Sequence, residues 1–343
     1  MVKAELAAAN AVASHALLHP LDIFRSLGPT LNEATCGLLG KSFDPDRDIQ
    51  DLSGKVIFVT GGNAGLGKET ILQLARHGPS RIYLAARNAT KAQEAITSIQ
   101  KTLSSPLDIR HIPLDLTSFA SIRAAAAKFT SECDRLDLLV LNAGTMANPP
   151  DLTKEGFEIQ LGTNHIGHFL LTKLLLPTLR QTITSTKPSP DVRVITLTSV
   201  GSHTAPSFDV MTSTLALLEV HTLVRYGASK AANLLFAAEL ARRYPEIMSV
   251  SVHPGVVSSG LYRYTGEMSL FARAIFGLSS LFSRNVRTGA MNQLWAAGVD
   301  RRRLKNGAYY VPIGARGSSR FEGDAYLARR LWEWTEEQIA AHP

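Results

Sequence analysis

Hydrophobic positions are unevenly spread along the chain. From about residue 53 onward, short β-branched apolar runs alternate with longer segments whose apolar residues recur every three or four positions. The runs Val56–Thr60, Arg81–Ala86, Ile109–Leu114, Leu136–Leu141, Arg193–Thr198, Ser249–His253 and Tyr309–Pro312 predict strands. The segments Lys68–His77, Ala89–Leu103, Ser118–Phe129, Glu155–Leu179 and Tyr226–Arg243 predict helices between them. Strands that are apolar throughout are covered on both faces, as parallel strands are. The alternation therefore predicts an α/β fold: a doubly wound parallel sheet of about seven strands, with right-handed crossovers and helices on both faces.

Ahead of this region, residues 1–52 read as an extension that ends in an acidic, proline-containing linker, Phe43–Asp51. No internal repeat or low-complexity tract interrupts the remainder of the chain, so 53–343 reads as one domain. The apolar stretch Leu6–Leu18 is broken by Asn10 and His15 and stopped by Pro20. It falls short of the ~20 apolar residues a membrane-spanning helix needs. Glu5 beside Lys3 also spoils the positive start of a signal peptide, and a docking or membrane-surface helix is the favoured reading. A second apolar stretch, Met268–Phe282, reads either as a helix packed on the core or, the favoured reading, as a flap over a substrate cleft, a lid near residues 260–285.

Directly after the first strand stands Thr60-Gly61-Gly62-Asn63-Ala64-Gly65-Leu66-Gly67, followed by a helix. Glycines without Cβ let the backbone approach a pyrophosphate, and the helix start offers free N–H groups and a positive dipole end. In this strand–turn–helix context the pattern predicts a dinucleotide site and makes the sheet a Rossmann fold. An NAD-selective site carries Asp or Glu about 20 residues further on, at the end of the second strand, for the ribose 2′-hydroxyl. Here that position is Arg87, in Ala86-Arg87-Asn88. A guanidinium pairs with a 2′-phosphate where a carboxylate repels it. Lys68 adds a second positive charge nearby, so NADP(H) is the cofactor expected.

Tyr226-Gly227-Ala228-Ser229-Lys230 opens a later helix. Four residues advance about 400° around a helix, which sets Tyr226 and Lys230 on one face a turn apart. A phenol with an ordinary pKa of about 10 is a poor proton donor near neutrality, and a neighbouring ammonium lowers that value by stabilising the phenolate. That is what general acid–base catalysis requires. Ser199 closes the fifth strand at the carboxyl end of the sheet, where ligands bind in such folds, and its hydroxyl can hold a carbonyl oxygen.

Composition removes several other classes. An apolar fraction of 45% with a net charge of only +7 over 343 residues excludes disorder as the main state. Two cysteines, Cys36 and Cys133, exclude a disulfide scaffold and a cysteine-built zinc site. They suit a reducing compartment, read here as cytoplasmic, with attachment to a membrane surface left open. The ten histidines show no ligand-spaced grouping, so no metal is expected. The basic run Arg301-Arg302-Arg303-Leu304-Lys305 is short and lacks interleaved aromatics, which argues against nucleic acid.

Taken together, Thr60–Gly67, Asn142-Ala143-Gly144, Asn164, Ser199, Tyr226 with Lys230, and Pro254-Gly255 resemble the short-chain dehydrogenase/reductase family from about Ser53 to Pro312. The Gly-x-x-x-Gly-x-Gly spacing is similar to its compact single-domain branch. The run Thr163-Asn164-His165-Ile166-Gly167-His168-Phe169-Leu170-Leu171-Thr172 resembles its retinol-dehydrogenase-like and WW-domain-oxidoreductase-like group.

The resemblance implies an oxidoreductase interconverting a carbonyl and an alcohol. Tyr226 would be the proton donor or acceptor, Lys230 would lower its pKa and hold the nicotinamide ribose, and Ser199 would position the substrate oxygen. Asn164 would support a water-mediated proton path to Lys230. The cofactor would meet Gly61, Asn63, Gly65, Leu66, Gly67, Lys68 and Arg87. Asp115 would contact the adenine, with Leu116 beside it, while Asn142, Ala143 and Gly144 would line the cleft. Pro254, Val257 and Ser259 would meet the carboxamide and phosphate ends.

Ser199 and Tyr226 are more widely separated than in many family members, which implies an inserted segment, Ala205–Thr222, beside the cleft. Phe208, Met211, Leu215, Leu217 and Leu218 of this insert, with Leu261, Tyr262, Tyr264, Leu270, Phe271 and Phe276, would give the cleft an apolar lining. The expected partner is therefore a lipophilic ketone, aldehyde or alcohol, with no nucleic acid. Peripheral membrane contact and a homo-oligomer both stay open. The competing class is a non-redox or cofactor-sensing NADP-binding interaction protein, against which the intact Ser/Tyr/Lys/Asn set argues.

Overall fold

Strand β1 (Val56–Thr60) explains why the sheet is covered on both sides. Its Val56 and Phe58 join one apolar cluster, while Ile57 and Val59 join another across the sheet. Side chains alternate faces along a strand, so a strand apolar at every position feeds two cores at once. The computed structural model describes residues 43–185, 191–255 and 285–342. Within these, β2 (Arg81–Ala86), β3 (Ile109–Pro113), β4 (Leu138–Leu141), β5 (Arg193–Leu197), β6 (Met248–Val252), β7 (Tyr309–Val311) and β8 (Ala315–Arg316) complete one sheet. Its order is β3-β2-β1-β4-β5-β6-β7-β8, and every adjacent pair is parallel except β7 with β8.

The described α-helices of four or more residues are α1 (Pro45–Asp48), α2 (Gly65–Ala75), α3 (Ala89–Gln100), α4 (Phe119–Glu132), α5 (Gly167–Ser185), α6 (Phe208–Met211), α7 (Thr214–Glu219), α8 (Thr222–Arg243), α9 (Val286–Gly298) and α10 (Ala325–Ala340). Helices α2, α3 and α9 cover one face through Ile71, Leu74, Ile96 and Leu294. Helices α4, α5, α8 and α10 cover the other through Phe129, Phe169, Leu235 and Trp332. Local chemistry sets their starts: Asn88 accepts from the Lys91 amide at 2.8 Å, and Asp324 from that of Leu327 at 2.9 Å. The expected doubly wound α/β fold is the one observed, with eight strands in place of about seven.

Three differences from the sequence reading have physical causes. The stretch read as a linker packs on the body: Asp44 and Pro45 start α1, and Ile49 and Leu52 are buried against the core. The Gln50 amide donates to the Gly298 carbonyl at 2.9 Å. Helices α9 and α10 are not evident in the apolar pattern, since buried Asn292 and Gln293 interrupt the apolar face of α9 and arginines and glutamates dilute that of α10. Strand β8 has two residues and is defined only by pairing with β7. The basic run Arg301–Arg303 forms a short turn in which Arg301 pairs with Asp191 at 2.9 Å and Arg302 with Asp300 at 2.5 Å. Among the described residues no helix is long and apolar enough to cross a membrane. Leu6–Leu18, Met268–Phe282 and the lid positions 260–284 lie outside the described residues.

Candidate active site at the carboxyl edge of the sheet

The strand order reverses between β1 and β4, whose neighbours lead to opposite ends of the sheet. A crevice opens at the carboxyl ends of strands at such a point. Thr60 ends β1 there, and Gly61 (φ +67°) and Gly65 (φ +52°) take left-handed conformations that glycine adopts without strain. A Cβ on Gly67 would lie 2.4 Å from the Gly61 carbonyl oxygen, so the turn closes on its own helix only with glycine. Space beside Gly65 is open, and Ala64 provides no side-chain cap for α2. The first N–H groups of this 11-residue helix thus face a clear cradle at its positive end, an arrangement that fits a pyrophosphate. Asn63 and Leu66 belong to the same turn.

At the end of β2, Arg87 is exposed. Lys68, expected to add charge near it, donates from Nζ to Ser98 Oγ on α3 at 2.9 Å. Asp115 folds its carboxylate into a local turn, where Oδ1 accepts from the Thr117 amide at 3.0 Å and hydroxyl at 2.8 Å. Leu116 is buried, and a Cβ on Gly167 would come within 2.5 Å of its carbonyl oxygen, so β3's exit packs tightly on the start of α5.

Tyr226 and Lys230 share a face of α8, with the Lys230 Nζ 5.6 Å from the centre of the phenol ring. Lys230 donates to the Leu197 carbonyl at the end of β5 at 3.1 Å. Burial pushes its pKa down to about 8, which leaves the ammonium the main form at pH 7. Ser199 follows β5, and its Oγ accepts from the Gly201 amide at 3.1 Å. A Cβ placed on Gly201 would sit 3.0 Å from Tyr226 Cε1 and 3.4 Å from Ser199 Oγ, so the two side chains converge on one spot. A Cβ on Gly144 would likewise lie 3.2 Å from Asn164 Oδ1 and 3.6 Å from Lys230 Nζ. Phenol, ammonium, hydroxyl and amide thus gather around the exits of β4 and β5.

Asn164 lies in a π-turn, Gly162–Ile166, of the kind often found at functional sites. Its side chain donates to Ser229 Oγ at 2.9 Å and accepts from the Thr145 amide at 2.8 Å. The looser turn leaves its main-chain carbonyl to the His168 ring, whose Nδ1 is 2.9 Å away. His168 Nε2 lies 2.9 Å from Thr60 Oγ1, and that oxygen accepts from the amides of Asn142 and Ala143, each at 2.9 Å. The Asn164 carbonyl can only accept, so Nδ1 carries the proton of the uncharged ring and Nε2 accepts from the Thr60 hydroxyl. From α9, fully buried Gln293 donates to Thr70 Oγ1 and, at 3.3 Å, to Asn142 Oδ1.

Burial lowers the pKa of His165 to about 3 and that of His168 to about 4. Both rings are uncharged in the fold and bind protons readily once unfolded. Their cost to stability is absent above the unfolded pKa of about 6.5 and grows as pH falls from there towards the folded values. Each ring is expected to cost about 2 kcal/mol by pH 5. Denaturant melts at pH 7 and pH 5 check this: the loss should be smaller by about that amount in a His165→Leu variant, and an equal loss in both proteins refutes it.

Sequence similarity decides the family. The family model described as short chain dehydrogenase matches residues 55–207. A short-chain dehydrogenase/reductase of Armillaria gallica is 39% identical over 311 residues, 88% of this chain and 97% of that protein. The chain belongs to the short-chain dehydrogenase/reductase family. Within it, this short-chain dehydrogenase/reductase falls in the retinol-dehydrogenase-like group: retinol dehydrogenase 11 of Mus musculus is 37% identical over 285 residues, 82% of this chain and 85% of that one. RhlG of Pseudomonas aeruginosa, solved as an NADP active-site complex, superposes with a TM-score of 0.59 at 26% identity, over 77% of this chain and 96% of that one. The activity of the short-chain dehydrogenase/reductase is thus oxidoreduction between an alcohol and a carbonyl.

The structure brings Ser199, Tyr226, Lys230, Asn164, Asn142, Ala143, Gly144 and the glycine turn to one edge, where Pro254 also follows β6. Val257 and Ser259 lie outside the described residues. In the insert, Met211 and Leu217 are fully buried in the core and Leu215 is 79% exposed, so these three do not all face one cleft. Met146 and Ala147, which no sequence motif marks, pack against Tyr226. Gln293 is likewise beyond the sequence reading, and His168 stands in the quoted run Thr163–Thr172 with no role assigned to its ring. Among the described residues, no group of three or more His, Cys, Asp or Glu is placed to hold a metal ion.

Proposed function

We propose that this short-chain dehydrogenase/reductase uses NADP(H) to interconvert a carbonyl and an alcohol on a lipophilic small molecule, with Tyr226 as the proton donor or acceptor. The observation that carries the reading is the convergence of Ser199 Oγ and the Tyr226 ring beside Gly201, with Lys230 a turn away. The uncapped start of α2 and the glycine turn would hold the pyrophosphate, and Arg87 the 2′-phosphate. Bound NADPH supplies the hydride. As charge gathers on the carbonyl oxygen, the Ser199 and Tyr226 hydroxyls donate to it, and preorganised donors of this kind are worth roughly 2.7–4 kcal/mol at comparable sites. Tyr226 then releases its proton to that oxygen. The Lys230 ammonium stabilises the phenolate left behind, and Asn164 orders the route by which a proton returns.

The retinol dehydrogenase relatives support an apolar substrate, as does the packing of Met146 and Ala147 on Tyr226. Loss of NADPH absorbance on adding a panel of hydrophobic ketones and aldehydes tests the reading, and turnover of small polar sugars alone overturns it. Arg87→Asp tests the cofactor: the preference for NADPH over NADH, taken as a ratio of kcat/KM, is expected to fall by about a hundredfold through loss of one ion pair and gain of repulsion. A ratio unchanged in that variant would show that Arg87 does not read the 2′-phosphate.

A further inference from the structure

One buried charge pair beside the candidate site has no part in the chemistry proposed for Tyr226. Glu158 and Arg225 are 0% and 2% exposed at their side chains, and Arg225 immediately precedes Tyr226. Glu158 Oε2 caps a single helical turn, Ile159–Leu161, accepting from the amides of Gln160 at 3.0 Å and Leu161 at 2.8 Å. Its Oε1 stands 3.7 Å from Arg225 Nε, beyond hydrogen-bond reach. Oε1, Nε and the Arg225 Nη1 have no hydrogen-bond partner among the described residues. Two charges so imperfectly satisfied stabilise a fold little, and position is the better reason to keep them.

The remaining arm of Arg225 reaches a specific target. Its Nη2 donates to the Asn148 carbonyl at 2.7 Å, and the Thr222 hydroxyl donates to the same oxygen at 2.9 Å. The loop 145–148 is also tied at Thr145 and Ala147. The Thr145 amide donates to Asn164, and the Ala147 amide to Gln160 Oε1 at 3.1 Å. Gln160 Nε2 in turn donates to the Thr222 carbonyl at 3.0 Å. Ala147 is held at φ +58°, a left-handed conformation that an alanine keeps only under constraint. Met146 and Ala147 are the residues that pack on the Tyr226 ring.

We propose that the buried Glu158–Arg225 pair is a positioning device for Tyr226: Glu158 aims the guanidinium, and the guanidinium fixes the loop 145–148 against the phenol. Both partners act through Met146 and Ala147 and touch neither substrate nor cofactor. The inference rests on the reading of Tyr226 as proton donor.

Steady-state turnover of a hydrophobic ketone and fluorescence titration with NADPH, both on the full chain, test it. Glu158→Gln keeps the shape and the cap but removes the charge, and Arg225→Met removes the other. Each is expected to lower kcat by about tenfold while the Kd for NADPH stays within about twofold, a split that general unfolding does not produce. Arg225→Lys should fall between wild type and Arg225→Met, and the double variant should be no worse than the worse single, because the two act as a unit. Wild-type kcat in Glu158→Gln, losses that multiply in the double, or kcat and NADPH Kd worsening together overturn the proposal. Should Arg225→Met fail to fold, Thr222→Val removes the other donor to Asn148. A kcat about threefold lower with NADPH binding intact supports the proposal, and an unchanged kcat overturns it. Full turnover in Tyr226→Phe brings down the proton-donor reading itself; an inactive Tyr226→Phe beside a fully active Glu158→Gln brings down this inference alone.

Discussion

Tyr226→Phe is expected to lose turnover by about a thousandfold or more while binding NADPH as tightly as the parent. General acid–base catalysis by one positioned group contributes roughly 10²–10⁴-fold, and loss of a preorganised donor to the developing oxyanion adds to it. The ring is only 8% exposed and packs on Met146 and Ala147, so phenylalanine keeps the contacts and removes one hydroxyl. Lys230 also keeps its bond to the Leu197 carbonyl, which does not involve the phenol. Initial rates with a hydrophobic ketone, set beside NADPH titration and a thermal melt, separate chemistry from folding. A variant with parental rate and an unchanged melt removes Tyr226 from the mechanism.

The second large effect is expected at Gly67. One methyl group there would stand 2.4 Å from the Gly61 carbonyl oxygen and 2.5 Å from Asn142 Nδ2. The first is backbone of the same turn and cannot swing away. The second is tied to the Thr60 carbonyl at 2.8 Å. Relief requires the glycine turn to open, which spoils the approach of its amides to a pyrophosphate. Gly67→Ala is expected to weaken NADPH binding by about a hundredfold, with a smaller loss of stability, because the clash is with the glycine turn and Asn142 and not with the apolar clusters. Titration of the purified variant decides it: parental affinity means the turn is not the cradle.

Legibility in the sequence tracks the range of the interactions concerned. β1 and β2 can be read to their ends because nearly every residue in them is apolar or small and their neighbours are turn formers. Tyr226 and Lys230 are legible because one helix turn sets their relation without help from the rest of the chain. Ser199 needs the sheet, and its meeting with Tyr226 depends on how β5 and α8 pack, which spacing does not encode. The bond of Lys68 to Ser98 is beyond the sequence for the same reason, since Ser98 comes from a different helix. Gln293 and the Glu158–Arg225 pair carry no local signal at all, and His168 lies in a motif that does not say what its ring does; each is a buried polar side chain explained only by what surrounds it after folding. The short α1 is within reach, since Asp44-Pro45 is a recognisable helix start, but its value lies in bringing Ile49 to α9.

The two-residue strand β8 bears on how copies of the chain meet in concentrated solution. Folded back on β7 through Tyr310 and Val311, it occupies the hydrogen-bonding side on which a stranger's backbone could otherwise dock. At the far margin β3 finishes in exposed Pro113, which has no N–H to offer. Among the described residues, a two-residue strand at one border and a terminal proline at the other shorten the backbone that edge-to-edge, amyloid-like addition could use as a template.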